Sequence, residues 1–145
     1  MDELGKIRFA AMNMLARREH SRKELFSKLS TRFDQSEIEE VLNQLVEENL
    51  QSDQRFLESF VSSRVTKGQG PMKISYDLKN KGVSSDLIDD EIDKYASEWM
   101  SIAREELVRK YGSTEPEDYK EKQKWQRFLA GRGFSNDVCY RLFKS

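Results

Sequence analysis

Residues Ser21–Leu29, SRKELFSKL, contain both the start and the buried side of a short helix. Ser21 and Glu24 have the spacing of a capping box, in which each side chain bonds a free backbone N–H at a helix start. Leu25 and Leu29 stand four residues apart and so share one helix face. The stretch therefore predicts a helix over 21–31 that packs through its two leucines.

The same arrangement returns around Leu78 and Leu129, with separations of 49 and then 51 residues between successive leucines. An apolar residue stands four positions before and nine positions after each leucine: Leu25, Ile74 and Trp125 before, and Ile38, Leu87 and Val138 after. Thirteen positions on come Leu42 and Leu142, but the middle copy has Glu91 there. These spacings indicate a repeat of about 50 residues, the length of three short helices.

Apolar residues have helical spacing almost throughout, and no segment alternates long enough to form a half-buried strand. Capping-box sequences at Ser36–Glu39 and Thr114–Glu117 predict two further helix starts. The expected helices are 3–17, 21–31, 36–48, 53–66, 71–81, 85–95, 97–111, 117–131 and 135–143. We therefore predict an all-α protein of three tandem three-helix repeats, 1–50, 51–96 and 97–145, in an elongated, curved array.

Composition excludes several classes of protein. The longest apolar run, Phe9–Met12, has four residues, whereas a membrane-spanning helix needs about 20. No charged-then-apolar leader is visible, so we expect a cytoplasmic protein. The single cysteine, Cys139, excludes an internal disulfide and a cysteine-rich zinc site. We expect no metal and no cofactor.

The net charge of −1 is the sum of 25 basic and 26 acidic residues, and it conceals large local charges because the two kinds are segregated along the chain. Net charge is +6 over 4–32, −7 over 34–58, +4 over 64–82, −5 over 84–98 and +4 over 120–132. The second helix of each repeat is thus basic. If the repeats stack in similar orientations, these helices form a docking surface for phosphates or for an acidic protein groove.

The basic residues expected to contact a partner are Arg17, Arg18, Arg22, Lys23, Lys67, Lys73, Lys124, Arg127 and Arg132. The alternative interpretation is that these cations cover solvated faces and form ion pairs that contribute little. Tyr76 and Tyr119 stand near basic residues, where exposed rings can stack on bases.

Residues suited to catalysis are not arranged for it. His20, the only histidine, stands in a predicted turn without the partners of a catalytic triad or a zinc site. Cys139 is flanked by apolar residues, which is typical of a buried thiol. We therefore expect a binding protein and not an enzyme.

Three stretches resemble the RecX regulatory proteins of bacteria. They are LARREHSRKEL at 15–25, KGQGPMKI at 67–74 and RGFS at 132–135. The resemblance covers nearly the whole chain in order. Gln69 departs from it, because many relatives have an aromatic or another large residue there.

This resemblance implies three tandem three-helix repeats without catalytic residues. It also implies a protein that binds in the groove of the RecA filament on single-stranded DNA, and we expect this chain to be a monomer. Such proteins inhibit filament growth, ATP hydrolysis, strand exchange and cleavage of the SOS repressor, and so act in homologous recombination and DNA repair. Some members bind single- or double-stranded DNA weakly. We expect a negative regulator of RecA, the alternative being an independent helical DNA-binding protein.

Overall fold

The computed structural model describes residues 1–144, which form nine α-helices and no strand. The helices are α1 (Glu3–Arg17), α2 (Arg22–Leu29), α3 (Gln35–Glu47), α4 (Asp53–Thr66), α5 (Pro71–Asn80), α6 (Ser85–Asp93), α7 (Trp99–Tyr111), α8 (Tyr119–Arg132) and α9 (Asn136–Lys144). Each predicted boundary lies within two residues of the observed one. The all-α prediction is confirmed. Ser145, the last residue of the third predicted repeat, lies outside the described residues.

The helices pack most closely within three units: α1–α3, α4–α6 and α7–α9. The first unit has a hydrophobic core of its own, which includes Ile7, Leu25 and Leu42. The second and third units share one core, in which Leu57 and Leu107 are fully buried. The apolar core is therefore interrupted after the first unit and continuous after the second.

The surface area shows that the stack is elongated. The chain has a mass of 17.1 kDa and exposes 8839 Å², whereas a compact monomer of that mass exposes about 7,800 Å². Stacked units leave more of their sides in solvent than a spherical domain does.

The repeat predicts most core positions correctly. Leu29, Leu78 and Leu129 are all buried. The prediction for Leu87 is wrong, because this side chain is 38 % exposed and its neighbour Ile88 is fully buried. The buried face of α6 runs through Ile88 and Glu91, and a residue one position earlier points about 100° away from it.

Two of the three predicted capping boxes are absent. The box at Ser21 is confirmed, with both its side-chain bonds present. At α3 the cap residue is Asp34, and the Ser36 hydroxyl donates to the Asp34 carboxylate. At α8 the cap is Asp118, whose carboxylate accepts from the Glu121 N–H at 2.8 Å. At α8 an aspartate thus binds the backbone N–H group and sets the helix start. At α3 the Asp34 side chain makes no such bond, and its backbone alone marks the start of the helix.

Within residues 1–144 no helix has the length and apolar character needed to cross a membrane.

Candidate interaction surface

The basic helices α2 and α5 meet end to end at the first junction between units. The Ser21 hydroxyl, at the start of α2, donates to the Lys81 carbonyl at the end of α5 over 2.7 Å. The Lys23 side chain lies directly over Gly82, where a Cβ would stand only 2.7 Å from the Lys23 Cβ. Gly82 has a φ of +83°, so glycine there permits both the turn and the close approach.

Helices α5 and α8 meet in the same way at the second junction. The Gly70 N–H donates to the Arg132 carbonyl at 2.7 Å, and the Met72 N–H donates to the Gly133 carbonyl at 2.9 Å. A Cβ on Gly133 would stand 2.6 Å from the Lys73 Cβ. The three second helices therefore follow one another head to tail, as one continuous run of basic helices.

A polar network joins the first unit to the second where the apolar core is interrupted. Glu24 accepts hydrogen bonds from Arg18 at 3.1 Å and from Lys81 at 3.0 Å. Burial by itself raises the pKa of Glu24, but the hydrogen bonds from Arg18, the Ser21 backbone and Lys81 outweigh it and lower that pKa to about 2. The charged carboxylate thus fixes two cations from different units.

A second buried carboxylate joins the third unit to the second. Glu106 is only 4 % exposed and lies 2.6 Å from Arg132 and 2.8 Å from Arg109. Arg132 also donates to the Lys67 carbonyl at 2.7 Å. A Cβ on Gly68 would stand 2.3 Å from the Glu106 carboxylate carbon. The loop between α4 and α5 is therefore held against the end of α8.

The nine predicted contact residues fall into two groups. Arg18, Arg22 and Arg132 form internal ion pairs, with Glu24, Glu39 and Glu106 respectively. Within the described residues no ion pair engages the side chains of Arg17, Lys23, Lys67, Lys73, Lys124 and Arg127, and all six are exposed. Lys124 lies 5.8 Å from the centre of the Tyr111 ring. Sequence alone does not separate these groups, because the ion-pair partners come mostly from other helices.

His20 lies in the α1–α2 turn and is buried. Its Nδ1 lies 3.0 Å from the Arg18 carbonyl, and its own carbonyl accepts from Gln51 at 3.2 Å. Burial lowers the pKa of His20 and outweighs the hydrogen bond to Arg18, which raises it. The ring is therefore neutral at pH 7, and the hydrogen bonds of His20 stabilise the turn between α1 and α2.

Cys139 is 1 % exposed, as predicted for a buried thiol, and burial raises its pKa. Among residues 1–144 no group of three or more His, Cys, Asp or Glu side chains is placed to hold a metal ion.

Helix α5 carries an exposed apolar pair, of which the sequence indicates only one member. Met72 and Tyr76 lie on one face of α5, 60 % and 67 % exposed respectively, in the middle of the basic run. The sequence indicates Tyr76 as an exposed ring near basic residues, but it gives no such indication for Met72. The repeat provides the signal that would identify both residues, because α2 and α8 have polar residues at the positions that correspond to Met72 and Tyr76.

Family models match the chain in three consecutive parts. Residues 8–45 match the first three-helix domain of RecX, 52–91 match the second, and 97–143 match the third. The matched ranges follow the three helical units in order and together cover most of the chain.

Curated relatives and solved structures agree with this assignment. The chain is 42 % identical to the regulatory protein RecX of Pseudomonas fluorescens, over 98 % of this chain and 92 % of that protein. It is 41 % identical to the regulatory protein RecX of Halorhodospira halophila, over 90 % of this chain and 82 % of that protein. The crystal structure of RecX from Lactobacillus salivarius superposes with a TM-score of 0.81 and 26 % identity, over 97 % and 94 % of the two chains. With three consecutive domain matches and relatives of this similarity, the chain belongs to the RecX family of regulatory proteins.

Proposed function

We propose that this chain is a cytoplasmic negative regulator of the RecA recombinase that acts by binding and not by catalysis. It binds in the groove of the RecA filament on single-stranded DNA. There it inhibits filament growth, ATP hydrolysis, strand exchange and the co-protease activity that induces the SOS response. Family membership supports a regulatory role, and the resemblance of its motifs supports RecA as the partner.

The observation that carries this proposal is the head-to-tail run of α2, α5 and α8. Each of these helices presents at least one exposed cation that forms no ion pair within residues 1–144, namely Lys23 on α2, Lys73 on α5 and Arg127 on α8. Backbone hydrogen bonds across the second junction and a serine–carbonyl bond across the first fix the order of the helices. A run of positive charge matches an acidic groove and speeds encounter with it.

A titration of RecA on single-stranded DNA with ATP tests the proposal. We expect the purified protein to lower the rate of ATP hydrolysis at substoichiometric to equimolar ratios. Unchanged hydrolysis at several-fold excess of the protein would overturn the proposal.

Charge reversals test the surface itself. Lys23→Glu, Lys73→Glu and Arg127→Glu each reverse one unpaired cation, one on each basic helix. Arg104→Glu is the matched control, because Arg104 is exposed on α7, the first helix of its unit, and forms no ion pair in the part of the chain that the structure describes. We expect each of the three to raise the concentration needed for half inhibition, and the control to leave it unchanged. Equal effects of all four substitutions would rule out this surface.

The alternative of an independent DNA-binding protein gives a different result. It predicts tight binding to DNA without RecA. The logarithm of affinity should then fall by about 0.7 per phosphate contact for each tenfold rise in salt on single strands. The net charge of −1 argues against such autonomous binding. Binding of this kind, together with unaltered RecA activity, would replace the proposal.

A further inference from the structure

An apolar depression lies on the middle helix of the basic run. It has a volume of about 390 Å³ and is lined by Pro71, Met72, Ser75, Tyr76 and Lys79, all on α5. We call these five residues the α5 patch. Met72 and Tyr76 stand four positions apart, so their side chains lie together on one helix face. Large exposed side chains of this kind commonly mark interaction sites.

The fold does not require apolar residues at these positions. With the repeat separations of 49 and 51 residues, Met72 corresponds to Lys23 in α2 and to Gln123 in α8. By the same counting, Tyr76 corresponds to Ser27 and Arg127. All four corresponding residues are exposed, as Met72 and Tyr76 are. The middle helix therefore carries an exposed apolar pair where its two structural equivalents carry polar groups.

The junction holds the α5 patch rigidly. The N–H groups of Gly70 and Met72 donate to carbonyls at the end of α8, and Pro71 stands at the first position of the helix. A preformed apolar surface loses little conformational entropy on binding. Methionine and tyrosine are also enriched at protein interfaces, and tyrosine is among the residues that dominate binding energy.

The charge around the α5 patch indicates the chemistry of its partner. Lys79 forms one edge of the patch and Lys73 lies beside it, and both are exposed. The only acid of α5, Asp77, is half-buried and lies 2.7 Å from Arg64. Among the described residues of α5, the rim therefore carries exposed cations and no acid without an internal partner. It is complementary to an apolar side chain that is surrounded by carboxylates.

We propose that the α5 patch is the anchor of the docking surface. It receives an apolar side chain from an acidic protein segment in the RecA filament groove, while the flanking cations steer that segment. The inference rests on the proposed function and adds to it the place where the tight contact is made. A protein partner is favoured over a nucleic acid because a methionine and a proline line the depression beside the tyrosine ring.

The test replaces the apolar pair with the residues that the third repeat has at the same positions, Met72→Gln and Tyr76→Arg together. This double variant adds one positive charge, so attraction by charge alone would leave binding unchanged or tighter. We expect the half-inhibitory concentration for RecA ATP hydrolysis to rise at least about tenfold, the range of an interface anchor. Binding to the assembled filament should weaken in parallel.

Two matched variants complete the design. Val108→Arg adds the same charge at an apolar residue that is 49 % exposed on α7, outside the run of basic helices, and should leave inhibition unchanged. Met72→Leu with Tyr76→Phe keeps the apolar surface and should retain inhibition. Circular dichroism and the thermal midpoint check folding. If the double variant is unstable, the single Tyr76→Arg variant provides the same comparison.

Four outcomes would overturn the inference. If the wild type inhibits RecA and the double variant inhibits equally well, the patch is not the anchor and the proposed function stands. If the wild type does not inhibit RecA, both proposals fail. If the double variant loses affinity for single-stranded DNA without RecA, the patch stacks on bases. If it abolishes self-association seen by sedimentation for the wild type, the patch contacts a second copy of the chain.

Discussion

Glu106 Oε1 lies 2.6 Å from Arg132 Nη2, and this pair joins the third unit to the loop that leads into the second unit's basic helix. The Glu106 side chain is 5 % exposed and that of Arg132 is 36 % exposed. The same Arg132 nitrogen donates to the Lys67 carbonyl. Arg132 was predicted as a partner contact, and the structure gives it an internal role at the junction.

Replacing Glu106 with glutamine should lower the free energy of unfolding by about 1 to 3 kcal/mol, because Arg132 and Arg109 lose a charged acceptor in a buried place. The measurement is urea denaturation monitored by circular dichroism. Glu105→Gln is the control, since Glu105 is the adjacent residue of α7 and is exposed. A similar loss in both variants would show that the effect does not come from the junction.

Gly133→Ala should lower the free energy of unfolding by more than about 1 kcal/mol. Its φ is +101°, and an added Cβ would stand 2.7 Å from the Lys73 backbone nitrogen, which cannot move aside. Gly131→Ala is the control, because a Cβ there meets nothing within 4 Å. Since Gly131 lies inside α8, that variant should gain about 0.5 to 1 kcal/mol. Equal thermal midpoints for the two variants would contradict this account of the junction.

Local signals made the helices predictable from sequence. Leu29, Leu78 and Leu129 mark one structural position in three copies, and helical spacing around them is enough to define the units. The prediction fails at Leu87 because Glu91 occupies a core position where the other repeats have an apolar residue. The buried face of α6 includes Glu91 and Ile88, and this leaves Leu87 exposed. A pattern that assumes an apolar residue at each core position cannot detect that rotation.

The junctions were not predictable, since they depend on contacts between residues far apart in the chain. Nothing near Arg132 in the sequence indicates a bond to Glu106, 26 positions away. Nothing near Ser21 indicates that it bonds Lys81, 60 positions away. Charge and repeat position therefore predicted the basic helices correctly but could not separate structural cations from free ones.

Acid should weaken the first junction through Glu24. Its pKa is lowered from 4.5 to about 2 in the folded protein, so its contribution to stability is complete above the unfolded pKa and is lost as the pH falls toward the folded one. Arg18 is half exposed, and solvent screening reduces the contribution to about 1 to 3 kcal/mol. Urea denaturation of the wild type and Glu24→Gln should show a stability difference near pH 7 that shrinks between about pH 5 and pH 2. A difference that stays constant over that range would contradict it.

The two cores should open separately in native-state hydrogen exchange. Leu42 is fully buried in the core of the first unit, and Leu129 is fully buried in the core that the second and third units share. Each leucine-to-alanine change lowers the free energy of unfolding by about 2 to 5 kcal/mol. In a stacked array this loss destabilises the unit itself and the neighbours that share its core. Leu42→Ala should therefore reduce protection in α1–α3 and leave α7–α9 unchanged. Leu129→Ala should reduce protection in α4–α6 and α7–α9 together, because one core joins them. Uniform loss of protection along the whole chain in either variant would show that the polar junction at Glu24 couples the units as strongly as a continuous apolar core does.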